Sequence, residues 1–251
     1  MMSNRVLLET RSLTKKFGEL VAVAHVDFVI EEGLVHSLIG PNGAGKTTFF
    51  NMLAGEFPPT SGKILFKGDD ITGLTSNRVS HLGIGRSFQV TSLFPDLTVL
   101  ENVQLAVQSR GRQSYRFLQK VSKLHMVDQK AEEILRKIGL VDKRSRKASE
   151  LPHGDQRALE VGIALATEPV LLLLDEPTSG MPPAEGTEIM GLIKTLSEGI
   201  TILLIEHKMN IVLSISDRIT VMHEGRIIAE GPPDQIKENI EVRKAYLGGV
   251  H

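Results

Sequence analysis

The chain has 251 residues, of which 41% are hydrophobic and 24% charged, with a formal net charge of -1. That length fits one α/β domain, residues 1–251, with room for a small insert, and the charge balance gives no reason to expect a nucleic-acid partner. Cysteine is absent, which excludes disulfides and thiolate metal sites. Residues 1–10 lack the apolar stretch of a signal peptide. The longest strongly apolar run, Val170-Leu171-Leu172-Leu173-Leu174, is far short of the ~20 residues of a membrane helix. The expected setting is cytosolic, or peripheral at a membrane.

In chain order, Val6-Leu7-Leu8-Glu9-Thr10 and Val26-Asp27-Phe28-Val29-Ile30 alternate as strands around a turn at Lys16-Phe17-Gly18-Glu19. Glu31-Glu32-Gly33 is a second turn, and residues 34–39 form a strand. Gly40-Pro41-Asn42-Gly43-Ala44-Gly45-Lys46-Thr47-Thr48 then completes a G-x-x-x-x-G-K-[ST] phosphate loop. The apolar strand before it and the helix-forming residues 49–54 after it are the context such a loop needs. The glycines let successive N–H groups turn toward phosphates, and a helix starting at Lys46 adds its positive end. Lys46 can reach the β- and γ-phosphates of a nucleotide, and Thr47 can place its hydroxyl on Mg²⁺. The bland alternative is a glycine-rich turn between a strand and a helix.

Pro58-Pro59-Thr60-Ser61-Gly62 breaks the chain, and residues 63–68 read as a short strand. Residues 99–139 read as helical with a weak middle near 109–112. After Leu151 the α/β pattern returns: helix 156–167, strand 170–174, helix 186–196, strand 200–205, and a helix core at 210–215. Residues 219–223 and 226–230 bracket Glu224-Gly225, a hairpin signal. The core is thus expected at about 1–90 and 156–251, with a helical insert at about 91–155.

Leu171-Leu172-Leu173-Leu174-Asp175-Glu176 is a continuous apolar run, as in a parallel strand covered on both faces, and it ends in two carboxylates. Ligands bind at the carboxyl ends of such strands. Asp175 is placed to hold Mg²⁺ and Glu176 to accept the proton of an attacking water; alone, the pair could equally be a solvated acidic turn. Gln89 can read the attacking water or the metal, because its amide both donates and accepts, or it is a surface amide. His207, just after a strand, is a γ-phosphate sensor if the site assembles around it, and otherwise a capping group.

The phosphate loop, Gln89, Leu151-Pro152-His153-Gly154-Asp155-Gln156-Arg157, residues 171–176 and His207 stand in the order and spacing of an ABC-type ATPase cassette. Residues 151–155 resemble that family's signature, Leu-Ser-Gly-Gly-Gln. The resemblance covers essentially the whole chain. It implies a phosphate-loop NTPase core with a mostly parallel sheet, an N-terminal antiparallel β subdomain and a helical insert. It implies ATP and Mg²⁺ as ligands, and it places Phe17 where the family stacks an aromatic on adenine; the other reading of Phe17 is a hairpin core residue. Residues 83–89, 93–102, Glu206-His207-Lys208-Met209 and the ending 231–236 through 245–248 are similar to ATPase subunits of branched-chain amino acid importers, a subfamily that includes urea and amide systems. Such subunits pair head to tail under two membrane subunits and contact them around residues 89–101, and an extracytoplasmic binding protein delivers the solute to the assembled system.

The signature departs from the pattern. Pro152 replaces a serine and offers neither hydroxyl nor N–H, His153 replaces a glycine, and Asp155 replaces a glutamine and adds a negative charge. Pro182 stands where the dimer-contact loop usually carries aspartate. The implied function is ATP hydrolysis driving solute uptake. Alternatives are the ATPase of a lipid or lipopolysaccharide transport system, a soluble cassette acting on nucleic acid or ribosomes, and a phosphate-loop kinase.

Overall fold

The computed structural model describes residues 5–87, 93–109 and 121–247, with residues 121–124 and 247 described by backbone alone. The chain opens with a long hairpin, β1 (Val6–Phe17) and β2 (Leu20–Glu31), then β3 (Val35–Ile39) and α1 (Lys46–Leu53). β4 (Ser61–Phe66) and the short β5 (Asp69–Asp70) follow, then α2 (Ser76–Leu82) and β6 (Ile84–Arg86). The insert carries α3 (Val99–Ser109) and α4 (Val121–Lys137). The second half runs α5 (His153–Leu165), β7 (Leu171–Asp175), α6 (Pro183–Leu196), β8 (Thr201–Ile205) and α7 (Met209–Ile215). It ends with β9 (Arg218–His223), β10 (Arg226–Gly231), α8 (Pro233–Glu238) and α9 (Ile240–Leu247).

Two sheets result. One is antiparallel in the order β2-β1-β4-β5; the other has six strands in the order β10-β9-β3-β8-β7-β6. In the second, β9, β3, β8, β7 and β6 run parallel and only β10 is antiparallel. This is the expected α/β class. β3, β7 and β8 are buried along their whole length, and the pleat divides them between two cores. Leu171, Leu173, Leu203 and Ile205 face the antiparallel sheet and α1. Leu172, Leu174, Ile202 and Leu204 face the helices, with Val103, Leu135 and Leu159. A period of two on a sheet covered on both faces requires both sets to be apolar.

Several boundaries differ from the sequence reading. β1 and β2 are each 12 residues long because bulges let both strands bend and continue. α5 starts at His153 rather than at 156, since Pro152 at its N-cap is extended and ends the preceding segment. α2, β6, α8 and α9 were not anticipated; each is eight residues or shorter, too short for a clear periodicity. α3 begins in a capping box. Thr98 N–H donates to Glu101 Oε2 at 2.8 Å, and Glu101 N–H donates to Thr98 Oγ1 at 3.2 Å. The buried Asn102 amide ties down the preceding turn through the Phe94 N–H and the carbonyls of Phe94 and Thr98.

His36 on β3 is fully buried and tilted against Phe28, with ring centroids 4.7 Å apart. Thr220 Oγ1 donates to Glu230, so at 2.7 Å it accepts from His36 Nε2–H, which leaves Nδ1 an unpaired acceptor. Burial, with Arg218 nearby, pushes the imidazole down to about 3. The folded state therefore favours the neutral ring. Its contribution is complete above the ordinary value of 6.5 and is lost as pH falls from there toward 3. Unfolding free energy should drop by up to ~1.4 kcal/mol per pH unit below about 6 from this group. Urea titrations at stepped pH should show that slope flattened in His36→Gln.

Candidate functional site

β1–β2, the loop after β3 and the ends of the parallel strands meet at a cavity of about 520 Å³. It is lined by Leu20, Val21 and Ala22, by Asn42 through Thr48, and by Glu176, Glu224 and Gly225. The loop has no freedom to carry side chains at two points. A Cβ on Gly40 would lie 2.1 Å from the Met222 carbonyl oxygen, and one on Gly45 2.3 Å from that of Ala22. Gly225 N–H donates to the Ala44 carbonyl at 3.0 Å. The loop is thus wedged between the β1–β2 hairpin and the Glu224–Gly225 turn, whose two positive φ angles fit a two-residue hairpin. α1 starts at Lys46 with no acidic residue in its first turn and no side-chain cap, so its positive end meets the cavity uncompensated.

Lys46 is buried, and its ammonium donates to the Gly40 and Pro41 carbonyls at 2.7 and 2.9 Å. Burial holds it below the usual lysine value, while Glu176 and Asp175 pull the other way. Asp175, at the end of β7, is 1% exposed, and neither carboxylate oxygen has a hydrogen-bond partner. Burial raises its carboxyl above the usual aspartate value, opposed mainly by Arg86, whose Nη2 stands 4.0 Å away. A buried carboxylate left orphaned in this way fits a cation-binding role. Glu176 follows at φ 46°, a left-handed position, with its side chain part-exposed to the cavity. His207 Nδ1 stands 3.8 Å from Glu176 Oε1 and 3.4 Å from Glu206 Oε2.

The expected site residues therefore divide. Asn42, Gly43, Ala44, Gly45, Lys46, Thr47, Thr48 and Glu176 line one cavity; Gly40 and Pro41 hold Lys46 from below; Asp175 and His207 adjoin Glu176. Phe17 is not among the lining residues; it is about half exposed (49%), and its ring packs edge-on against Phe57 at 5.7 Å. Gln89 lies outside the described residues. Residues 151–155 lie apart, at the start of α5, and His153 lines a second cavity of about 280 Å³ with Asp175 and Glu176. There the Asp155 carboxylate is ion-paired with Lys143, so its added charge is compensated within the chain. Gly154 N–H donates to Glu185 Oε2 at 3.0 Å.

Three contributors have no role of their own in the sequence reading. Arg86 faces Asp175 and stacks over the Phe50 ring. The fully buried Glu206 accepts from the His207 N–H at 2.7 Å, and also from Thr178 Oγ1. Its signal was available: residues 202–206 are an apolar run ending in an acid, as residues 171–175 are. Arg157 reaches back from α5 to the backbone around Glu176.

Residues 23–179 match the family model described as ABC transporter. The chain belongs to this family of ATP-binding cassettes. The cassette's residues 226–251 also match a model described as branched-chain amino acid ATP-binding cassette transporter. It is 40% identical to the high-affinity branched-chain amino acid transport ATP-binding protein BraF of Pseudomonas aeruginosa, over 98% of this chain and 99% of that one. Against LivG of Escherichia coli K12, of the same description, identity is 41% over 96% and 98%. Among solved structures, the ADP conformation of MJ1267, an ATP-binding cassette of an ABC transporter, superposes with a TM-score of 0.87 at 34% identity, covering 97% of this chain and 99% of that one. The cassette is an ATPase of this family, and no described helix is long and apolar enough to cross a membrane.

Lys46→Ala should weaken ATP binding by about 10- to 100-fold, the worth of hydrogen bonds from a charged donor. Calorimetric titration with ATP reads this directly; unchanged affinity would remove Lys46 from phosphate binding.

Proposed function

We propose that this chain is the ATP-hydrolysing subunit of an importer for branched-chain amino acids or related amides. The observation that carries this reading is end-to-end likeness to BraF and LivG, including the C-terminal residues 226–251. The subunit works on the cytoplasmic face of the membrane, beneath two permease subunits and paired head to tail with a second ATPase, and solute arrives from an extracytoplasmic binding protein. The charge balance and the C-terminal match favour this over lipid export or nucleic-acid work.

At the nucleotide site, the loop N–H groups and Lys46 hold the phosphates. Phe17, beside the hairpin tip, meets the adenine. Mg²⁺ fits the residues present: Asp175 offers two oxygens without a hydrogen bond, and Thr47, which lines the cavity, carries a hydroxyl. Among the described residues no group of three or more His, Cys, Asp or Glu converges. Mg²⁺ suits such a sparse site, because it keeps waters and takes oxygens from the nucleotide; Gln89 is the remaining expected ligand. When bound, the ion neutralises charge on the phosphate oxygens. Glu176 accepts the proton of the attacking water, and His207, braced by Glu206, donates toward the γ-phosphate. Leu151, Pro152, His153, Gly154 and Asp155 face the ATP held by the paired ATPase.

Glu176→Gln should leave ATP affinity near that of the native chain while turnover falls about 10²-fold or more. Steady-state phosphate release beside an ATP titration tests this, and native turnover in the variant would remove Glu176 from the mechanism. Phe94 is exposed at 56% beside half-buried Leu93 and Leu97, an apolar surface suited to a permease helix. Phe94→Asp should abolish uptake of labelled leucine in reconstituted vesicles while ATP binding persists; undiminished uptake would count against docking there.

A further inference from the structure

Arg157 sits one turn into α5 and turns its guanidinium toward the chain that follows β7. Nη2 donates to the Asp175 carbonyl at 2.9 Å and to the Glu176 carbonyl at 3.1 Å, and Nε donates to the Pro177 carbonyl at 3.2 Å. Three consecutive carbonyls thus share one side chain. Nη1 is bonded to Glu160 Oε2 at 2.6 Å, one turn further along the same helix; the side chains of Arg157 and Glu160 are only 14% and 5% exposed. The middle of the three clamped residues is Glu176, in the left-handed region at φ 46°. A residue with a Cβ adopts that backbone only where its surroundings impose it. β8 fixes the other side of the same peptide unit, since Glu176 N–H donates to the Ile205 carbonyl at 2.9 Å.

We propose that Arg157 is a positioning residue for hydrolysis: it holds the strained turn at Glu176 and so aims the carboxylate that accepts the water's proton. This rests on the assignment of Glu176 as proton acceptor. Only a planar fork presents Nε and Nη2 to three fixed carbonyls at once, so an ammonium substitutes poorly. Arg157 is not among the residues lining the nucleotide cavity and meets Glu176 only at its backbone carbonyl, so its loss should act on orientation and leave affinity alone. Because α5 begins with the segment resembling the family signature, the clamp also ties that segment's helix to this chain's own hydrolytic turn.

The test compares Arg157→Ala, Arg157→Lys and Glu176→Gln in the full chain, reading ATP affinity, KM and kcat. Misplacing a reacting group by ~1 Å costs about 10²-fold, so Arg157→Ala should lose about 10- to 100-fold in kcat with KM and affinity within about threefold. Arg157→Lys should fall between, and added guanidinium ion should restore part of the turnover of Arg157→Ala where equal NaCl does not. If Arg157→Ala does not fold, Arg157→Lys carries the comparison, and native kcat there overturns the proposal. Native kcat in Arg157→Ala beside an inactive Glu176→Gln overturns positioning and leaves the proton-acceptor assignment standing. A loss confined to ATP affinity also overturns it. An active Glu176→Gln overturns both.

Discussion

Two backbone carbonyls, those of Ala22 and Met222, decide where the phosphate loop can lie. Each comes within 2.3 Å of where a Cβ would stand on the loop, at Gly45 and Gly40 respectively. Absence of a side chain at these points is what lets the β1–β2 hairpin, the β9–β10 hairpin and the parallel sheet close on one loop. The position of α1 follows, and with it the direction of its dipole and the reach of Lys46. Phe49, on the next turn of α1, packs edge-on against Phe28 of β2 at 5.3 Å and carries the placement into the core.

The electrostatics of the site are arranged around a deficit. Lys46 and Arg86 are both held below their usual values by burial, and Asp175 is held above its own. All three charged forms would gain from added partners. Lys46 meanwhile leans on the carbonyls of Gly40 and Pro41. The proposed ATP and Mg²⁺ would supply both kinds of partner together.

The sequence was most legible where chemistry is local. The phosphate loop, the Asp175–Glu176 strand end and the hairpin at Glu224–Gly225 each depend on a few adjacent residue types, and each stands in the structure near its expected position. Legibility failed where the cause lies far along the chain. The compensation of Asp155 by Lys143 spans 12 residues, and the capture of Gly154 N–H by Glu185 spans 31. Arg86 meets Asp175 only because β6 pairs with β7. The start of α5 at His153 was missed because apolar spacing begins later than the helix does, and Pro152 acts through backbone geometry rather than pattern. Short elements such as α2 and β6 carry too few residues to show a period.

The buried amide of Asn102 has a consequence for recognition. It gathers the Phe94 N–H and three backbone carbonyls between Phe94 and Thr98 into one knot, and the capping box at Thr98 locks the next residues. The segment presenting Phe94 is therefore ordered before anything touches it. A permease helix docking there, as proposed, would meet a preformed surface, with little conformational entropy left to lose on the cassette's side. Discrimination between partners would then fall more on the shape of this held backbone than on its rearrangement.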